Sequence, residues 1–246
     1  MIYAGVFDNF FKTEIAGEVL SSVIVVFIIC LLAIIVGIQA RRQDPLKKPK
    51  GLLLLAEIGV SYFNNMVKDL VGDGFDWLGG YIFCISIYLF IAFIFGLTGL
   101  PSPVGNLAVP LSLGLCTFVL IHATSIRYTK WKYFKRYVDP FPFFLPVNLI
   151  SMWSPLLSLS LRLFGNATAG GVLLTLIYSA LNGIGTGVIE AANETLHIGA
   201  FIAPVVTPLL HAYFDLFSGF IQTLVFISLS IIFIGNEKPS ELELEQ

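Results

Sequence analysis

Five stretches of this chain are each apolar over about 20 residues or more, and this pattern limits what the chain can fold into. A helix needs about 20 apolar residues to cross a hydrocarbon core of ~30 Å. Charged residues are 12% of the 246, about half the share of a soluble domain. The sequence therefore predicts an all-α integral membrane protein in one membrane domain, residues 1–246. The five predicted spans are about 19–40, 77–97, 107–126, 143–181 and 198–235.

A sixth segment, about 51–71, begins apolar and then becomes polar. Glu57, Asn64 and Lys68 interrupt its apolar residues. This mixture predicts an amphipathic helix lying in the membrane interface. A short helix packed against the protein outside the lipid fits the pattern equally well.

The last two spans are too long to stand upright in a bilayer. The 39 residues of 143–181 make a helix of about 58 Å at 1.5 Å per residue. Membrane helices usually tilt by about 20° and seldom by more than 40°. We therefore expect both helices to be strongly tilted or kinked, with breaks at Pro146 or Pro155 in the first of them. A Gly-rich connection, 182–197, is expected between the two helices.

Basic residues are concentrated in two regions of the chain. Eleven of the 14 Lys and Arg residues lie in 41–68 and 127–136, after the first and third spans. The positive-inside rule predicts that both regions are cytoplasmic. The N-terminus is then outside, the C-terminus is inside, and Glu190 and Glu194 lie in an outer loop. The N-terminus has no basic region typical of a cleaved signal peptide, and the long basic loops favour a bacterial plasma membrane.

Arg162 is the only charged residue between Phe141 and Leu181. Arginine cannot lose its proton at accessible pH, and insertion of an Arg at a helix centre costs about 2.5 to 3.5 kcal/mol. Such a charge is expected to face water or an anionic partner, although an Arg reaching the membrane surface along its own stem is an alternative. Ser158 and Asn166, each four residues away, share its helical face.

A second polar stripe lies on the last span. His211, Asp215, Ser218 and Gln222 are spaced by four, three and four residues, which places them on one face of an α-helix. An intramembrane carboxylate is typical of an ion or proton pathway. A buried salt bridge between Asp215 and Arg162 is the structural alternative. His122 and His197 could extend a pathway, but structural roles are favoured for both.

The sequence contains no motif typical of a metal site, a nucleotide-binding site, a nucleic-acid-binding protein or a hydrolase. Cys30, Cys84 and Cys116 lie inside apolar runs without metal-ligand spacing, so we predict no metal and no cofactor. There is no phosphate-binding loop, no basic block for nucleic acid, and no hydrolase motif beside His211 and Asp215. A stand-alone secondary transporter that binds an anion at Arg162 is the main rival, but no internal repeat supports it.

The stretch LSLSLRLFGNATAGG, residues 157–171, resembles the signature of subunit a of F-type ATP synthases. Three further stretches agree over most of the chain, about 19–235. Glu57, Asn64 and 67–69 resemble the amphipathic helix of that family. Residues 146–150 resemble the start of its Arg-bearing helix, and 220–226 resemble its Gln-bearing motif.

The resemblance implies a non-catalytic stator subunit of a rotary ATP synthase. Its expected partners are the ring of c subunits, the b-subunit peripheral stalk, other synthase subunits and membrane lipid. Two tilted helices would contact the ring and form two aqueous half-channels for protons or sodium ions. Arg162 would be the essential arginine of the family. The remaining ion-translocation candidates are Asn166, Gln222, Asp215, His211, Glu190 and Glu194.

Gly171 departs from the family pattern. Many bacterial members carry Glu five residues after the Asn of the signature, and this chain instead carries an acid at Asp215. The departure predicts that the carboxylate of the outer half-channel is supplied by the last helix.

Overall fold

The computed structural model describes residues 16–44, 48–130, 133, 141, 143, 145–192 and 206–238, without the side chains of Asp76 and 181–192. This part of the chain is built from helices and turns and contains no strand. The helices are α1 (Gly17–Arg42), α2 (Leu52–Val71), α3 (Asp76–Ile94), α4 (Ala108–Thr129), α5 (Leu145–Ala192) and α6 (Val206–Gly235).

Five segments are long and apolar enough to cross a membrane. They are α1, the stretch Trp77–Thr98, α4, residues Leu145–Ala180 of α5, and α6. The prediction of an all-α membrane protein with five spans is therefore confirmed. The beginning of the predicted last span, 198–205, lies outside the described residues.

The two ends of the helix bundle differ in charge. Arg41 and Arg42 lie in the last turn of α1, and Arg127 lies in the last turn of α4. We call this end the basic face. The other end, which we call the turn face, holds the connection between α3 and α4. Gly17 at the start of α1 lies beside Pro101 in that connection, which fixes α1 antiparallel to α3.

The connection between α3 and α4 is a tight, hydrogen-bonded turn. It contains two 3₁₀ segments, Phe95–Thr98 and Pro103–Gly105, separated by Gly99 at φ 83°. Only glycine adopts that left-handed conformation without steric cost. The Ser102 hydroxyl donates a hydrogen bond to the carbonyl oxygen of Ala92 at 2.9 Å, which ties the turn to the end of α3.

The core is formed mainly by α3, α5 and α6. Gly219 of α6 lies against the ring of Phe93, so a side chain at 219 would collide with α3. Gly114 of α4 lies equally close to Ser160 of α5. Small residues at these crossings allow the close helix contacts on which membrane bundles depend. The fully buried side chains include Leu78, Ile82, Leu89, Leu159, Leu163, Phe226, Ile227, Ile231 and Ile234.

Helix α2 packs against the helix bundle, and the position of segment 51–71 in the membrane interface stays a prediction. Val67 is 1% exposed where α2 packs on the bundle, and Val71 contacts Gly235 at the end of α6. Leu55 and Tyr62, on the opposite edge, are 70% and 59% exposed. The helix therefore packs on the protein along one edge and presents an apolar edge on the other.

Helix α5 is longer than the sequence predicts. Its 48 residues correspond to about 72 Å, which exceeds the 40–45 Å of a whole bilayer. Pro155 lies inside the helix and does not end it, whereas a kink of the helix at this residue stays a prediction. The helix also continues to Ala192, through most of the predicted connection 182–197. The strong tilt of α5 and α6 stays a prediction.

Candidate functional site

Arg162 lies on an exposed face of α5. Its side chain is exposed, and within the described residues it has no hydrogen-bond or ion-pair partner. The neighbouring Leu157 and Leu161 are 49% and 53% exposed. Gly165, one turn further along, has open space where a side chain would be. Arg162, the only charged residue between 145 and 181 of this helix, therefore lies in an apolar surface that another helix can approach closely.

The alternative salt bridge between Arg162 and Asp215 is not formed. The Asp215 Oδ2 atom instead lies 2.6 Å from Nδ1 of His211, one turn earlier on α6. These two residues keep 22% and 32% of their side chains exposed, so the pair is only partly withdrawn from solvent. Among the residues that the structure describes, Arg162 therefore has no counter-charge of the kind that stabilises a buried structural ion pair.

A tyrosine on α5 completes a three-residue chain with this pair. The hydroxyl oxygen of Tyr178 lies 2.8 Å from Nε2 of His211. A neutral imidazole that donates from Nδ1 to the carboxylate can accept at Nε2 from the tyrosine hydroxyl. The arrangement Tyr178–His211–Asp215 can therefore pass or hold a proton between two helices. Tyr178 was not predicted, because an aromatic residue in an apolar run usually packs without a polar role.

Helix α6 changes its geometry at Asp215. Residues Ala212–Phe217 form a π-helical segment, and α-helix resumes at Ser218. π-segments are rare and occur frequently at functional sites. The predicted single stripe assumed an uninterrupted α-helix, so the inserted segment divides it. His211 and Asp215 form one group, whereas Ser218 and Gln222 follow in the regular helix.

Asn166 and Ser218 link α5 to α6. Nδ2 and Oδ1 of Asn166 lie 3.0 and 3.1 Å from Oγ of Ser218. Asn166, which the sequence predicts as a polar neighbour of Arg162, therefore contacts α6 at a point one helical turn from the charge. Gln222 is 7% exposed, and its Nε2 has no hydrogen-bond partner among the described residues.

A cavity of about 220 Å³ opens beside Asp215 near the turn face. Asn166 and Gly171 of α5 line it, and Phe214 of α6 lies next to Asp215 in its wall. The turn between α3 and α4 and the first turn of α1 close the remaining sides. The cavity brings Asn166 and Asp215 together at one space that is large enough for several water molecules.

A second cavity of about 130 Å³ lies near the basic face. His122, Asn148, Ser151 and Glu237 line it, from α4, α5 and the end of α6. The His122 ring packs edge-on against Phe118, with ring centroids 4.0 Å apart. The histidine thus has the aromatic packing of a structural residue and also borders a polar space.

The predicted loop acids are not tested by the structure. Glu190 lies in the last part of α5, but its side chain is outside the described residues. Glu194 and His197 lie outside them altogether.

Comparison with known proteins agrees with this architecture. Residues 19–235 match the family model described as the ATP synthase A chain. ATP synthase subunit a of Mycoplasma pneumoniae is 29% identical over 99% of this chain and 88% of its own length. The protein of the same name from Oceanobacillus iheyensis is 27% identical over 90% and 91%. That of Legionella pneumophila strain Corby is 28% identical over 95% and 94%. From its five membrane-spanning helices and the family match over most of its length, we conclude that this chain belongs to the ATP synthase A chain family.

Proposed function

We propose that this chain is the non-catalytic, ion-translocating stator subunit of a rotary F-type ATP synthase. The observation that carries the proposal is Arg162, a permanent cation on an exposed apolar face of α5 with no partner among the described residues. A charge in this setting needs an anionic partner from another chain. A ring of c subunits, each with an ionisable carboxylate, would supply that partner in turn.

The exposed apolar surfaces of α5 and α6 support a ring-facing role for both helices. Leu176 of α5 and Leu209 of α6 are 59% and 72% exposed. The bare position at Gly165, one turn from Arg162, would allow a helix of the ring to pass close to this charge. The b-subunit stalk would bind elsewhere on the chain and prevent it from turning with the ring.

The turn-face cavity fits the inner end of an outer half-channel. It lies at the opposite end from Arg41, Arg42 and Arg127, and the positive-inside rule assigns that opposite end to the outside. In this cavity Asp215, which is held by His211, would accept an incoming cation and deliver it to the ring carboxylate. Glu190 and Glu194 remain candidates for the outermost part of the route.

The basic-face cavity would belong to the inner half-channel. His122, Asn148 and Glu237 give it a polar lining close to the cytoplasmic surface. A ring carboxylate that arrives beside Arg162 would be driven to its ionised form, because a nearby positive charge favours the charged carboxylate. The released cation would then leave through this second cavity.

Arg162 would also keep the two half-channels apart. A cation that crossed directly would have to pass a fixed positive charge in a medium of low dielectric constant. The driving force is the ion gradient, and each charge that crosses 100 mV contributes about 2.3 kcal/mol. Coupling therefore depends on forcing every ion to travel with the ring.

The test compares wild type with Arg162→Ala in inverted vesicles that carry the assembled complex. ATP-driven ion pumping should be lost, and passive ion leak should rise after the soluble sector is removed. Arg162→Lys keeps a positive charge and should restore the barrier to leak. Arg127→Ala, which removes an exposed cation at the basic face, serves as the matched control and should pump normally.

Pumping near the wild-type rate in an assembled Arg162→Ala complex would disprove the proposal. Purification addresses the rival function directly. A stand-alone transporter would be isolated without a c-ring, whereas a stator subunit should be recovered with one.

A further inference from the structure

Glu18 begins the first membrane span, in the first turn of α1. Its partly buried side chain lines the same 220 Å³ cavity as Asp215. A side chain at Gly105 would come within 3.9 Å of the Glu18 Cγ atom, which places the stem of the glutamate against the turn between α3 and α4. A helix far from α5 and α6 in sequence therefore contributes a carboxylate to their polar space.

The cavity lining contains one carboxylate from α1, another from α6, and the amide of Asn166. The Ser102 hydroxyl, which also lines the cavity, donates its hydrogen bond to the Ala92 carbonyl and so stabilises the turn. Glu18 and Asp215 are the two acidic side chains of this lining. Asp215 is held by His211, whereas no interaction of the Glu18 side chain is seen among the described residues. Glu18 is thus the carboxylate of the cavity that is free to bind an incoming cation.

Gly171 gives the cavity an unfilled position on α5. It lies in the cavity lining, and an added Cβ would meet no atom within 4 Å. The first atom of a side chain at this position would therefore displace no neighbour, and we expect a glutamate here to extend along the cavity. Helix α5 therefore contributes no acidic side chain to the lining at position 171, whereas α1 contributes Glu18.

We propose that Glu18 is a further ion-binding residue of the outer half-channel, which takes up the incoming cation and passes it to Asp215. This inference rests on the proposed stator function. For a proton, hydronium gives its proton to a Glu18 carboxylate oxygen and leaves as water. The proton then moves to the Asp215 carboxylate, through water in the cavity, and Glu18 is ionised again. For a sodium ion, the two carboxylates bind the same cation in succession.

The test measures ATP synthesis by inverted vesicles in which the outer face borders the lumen. The membrane potential is fixed, and the luminal concentration of the ion is varied, with protons and sodium ions titrated in separate series. Glu18→Gln should lower the synthesis rate by about tenfold at low luminal ion concentration, less than the roughly 10² to 10⁴ that one proton-transfer group contributes, because Asp215 remains in the cavity. The deficit should shrink as the concentration rises, because uptake is then no longer limiting.

A carboxylate restored from another helix should repair the defect. The double variant Glu18→Gln/Gly171→Glu places an acid in the same cavity from α5 and should recover most of the rate at low ion concentration. Asp69→Asn, which removes an exposed carboxylate from α2, is the matched control and should follow the wild-type curve. Recovery of the c-ring with each variant shows whether the complex has assembled.

Two results would overturn the inference. One is a Glu18→Gln curve that coincides with wild type. The other is an impaired single variant that Gly171→Glu does not improve in an assembled complex. If Arg162→Ala abolishes pumping while Glu18→Gln has no effect, the stator function is supported and the proposed role of Glu18 is disproved. If Arg162→Ala pumps normally, the stator function itself is disproved.

Discussion

Nδ1 of His211 lies 2.6 Å from Oδ2 of Asp215, where α6 enters its π-helical segment. The contact joins a titratable ring to the carboxylate that borders the turn-face cavity. Its partner on the other side, Tyr178, belongs to α5, so the group also joins the two helices that carry the polar residues. Four expected outcomes follow from this geometry and from the packing around it.

Replacing His211 with Ala should reduce ion pumping strongly. The substitution leaves Asp215 without its hydrogen-bond donor and Tyr178 without its acceptor. A positioned proton-transfer group typically contributes about 10² to 10⁴ in rate. We therefore expect the rate of ATP-driven pumping by inverted vesicles to fall by a factor of at least about 10². Tyr213→Ala, which removes a 57% exposed ring from the same segment, is the control. Unchanged pumping in His211→Ala would exclude the histidine from the ion path.

Tyr178→Phe should have a smaller effect than His211→Ala. It removes only the hydroxyl that lies 2.8 Å from Nε2 of His211 and keeps the ring in place. A typical hydrogen bond contributes about 0.5 to 1.5 kcal/mol, which corresponds to a loss of roughly two- to tenfold in pumping rate. The assay is again ATP-driven pumping. In the background of His211→Ala the same substitution should add little, because the partner is already absent; an additive loss would show that Tyr178 acts independently.

Ser218→Ala should weaken the contact between α5 and α6. The substitution leaves the Asn166 amide without the one partner it has among the described residues, the Ser218 Oγ atom at 3.0 Å. An unsatisfied polar group of this kind costs about 1 to 3 kcal/mol. Thermal inactivation of the purified complex should therefore begin at a lower temperature. Ser179→Ala, whose hydroxyl bonds only to the Thr175 carbonyl of its own helix, should inactivate like wild type.

Gly219→Ala should disturb the bundle without touching a polar residue. The new methyl group would meet the Phe93 side chain at 2.6 Å, which forces α3 and α6 apart. Overpacking of this kind costs about 1 to 3 kcal/mol. We expect lower thermal stability and lower recovery of the complex from detergent extracts. Gly37→Ala adds the same methyl group where no atom lies within 4 Å, and equal losses in both variants would contradict the packing argument.

The spans could be predicted from the sequence because membrane solvation imposes a simple length rule. A helix needs about 20 consecutive apolar residues to cross the hydrocarbon core. Each predicted span overlaps an observed helix of that kind. The end of α5 could not be predicted in the same way. Glycines 183, 185 and 187 indicate a loop in a soluble protein, but a long helix accommodates them here up to Ala192.

The site was predictable only where its residues share one helix. Arg162 and Asn166 follow from spacing along α5, and His211 and Asp215 follow from spacing along α6. Tyr178 is joined to His211 by a contact between two helices, and Glu18 shares only the lining of the cavity with Asp215; no periodicity reveals either relationship. The π-helical segment was also hidden, because the spacing argument assumes 3.6 residues per turn throughout α6.

The exposed position of Arg162 has a consequence for how the complex is built. Before the ring is in place, this side chain borders lipid tails, and a charge in that setting costs about 2.5 to 3.5 kcal/mol on insertion scales. In the proposed complex, docking of a carboxylate-bearing ring would remove most of that penalty, and we expect the free subunit to be less stable than the assembled one. We therefore expect newly made chains to be degraded quickly when the ring is absent, and biogenesis to follow an order in which the ring forms first.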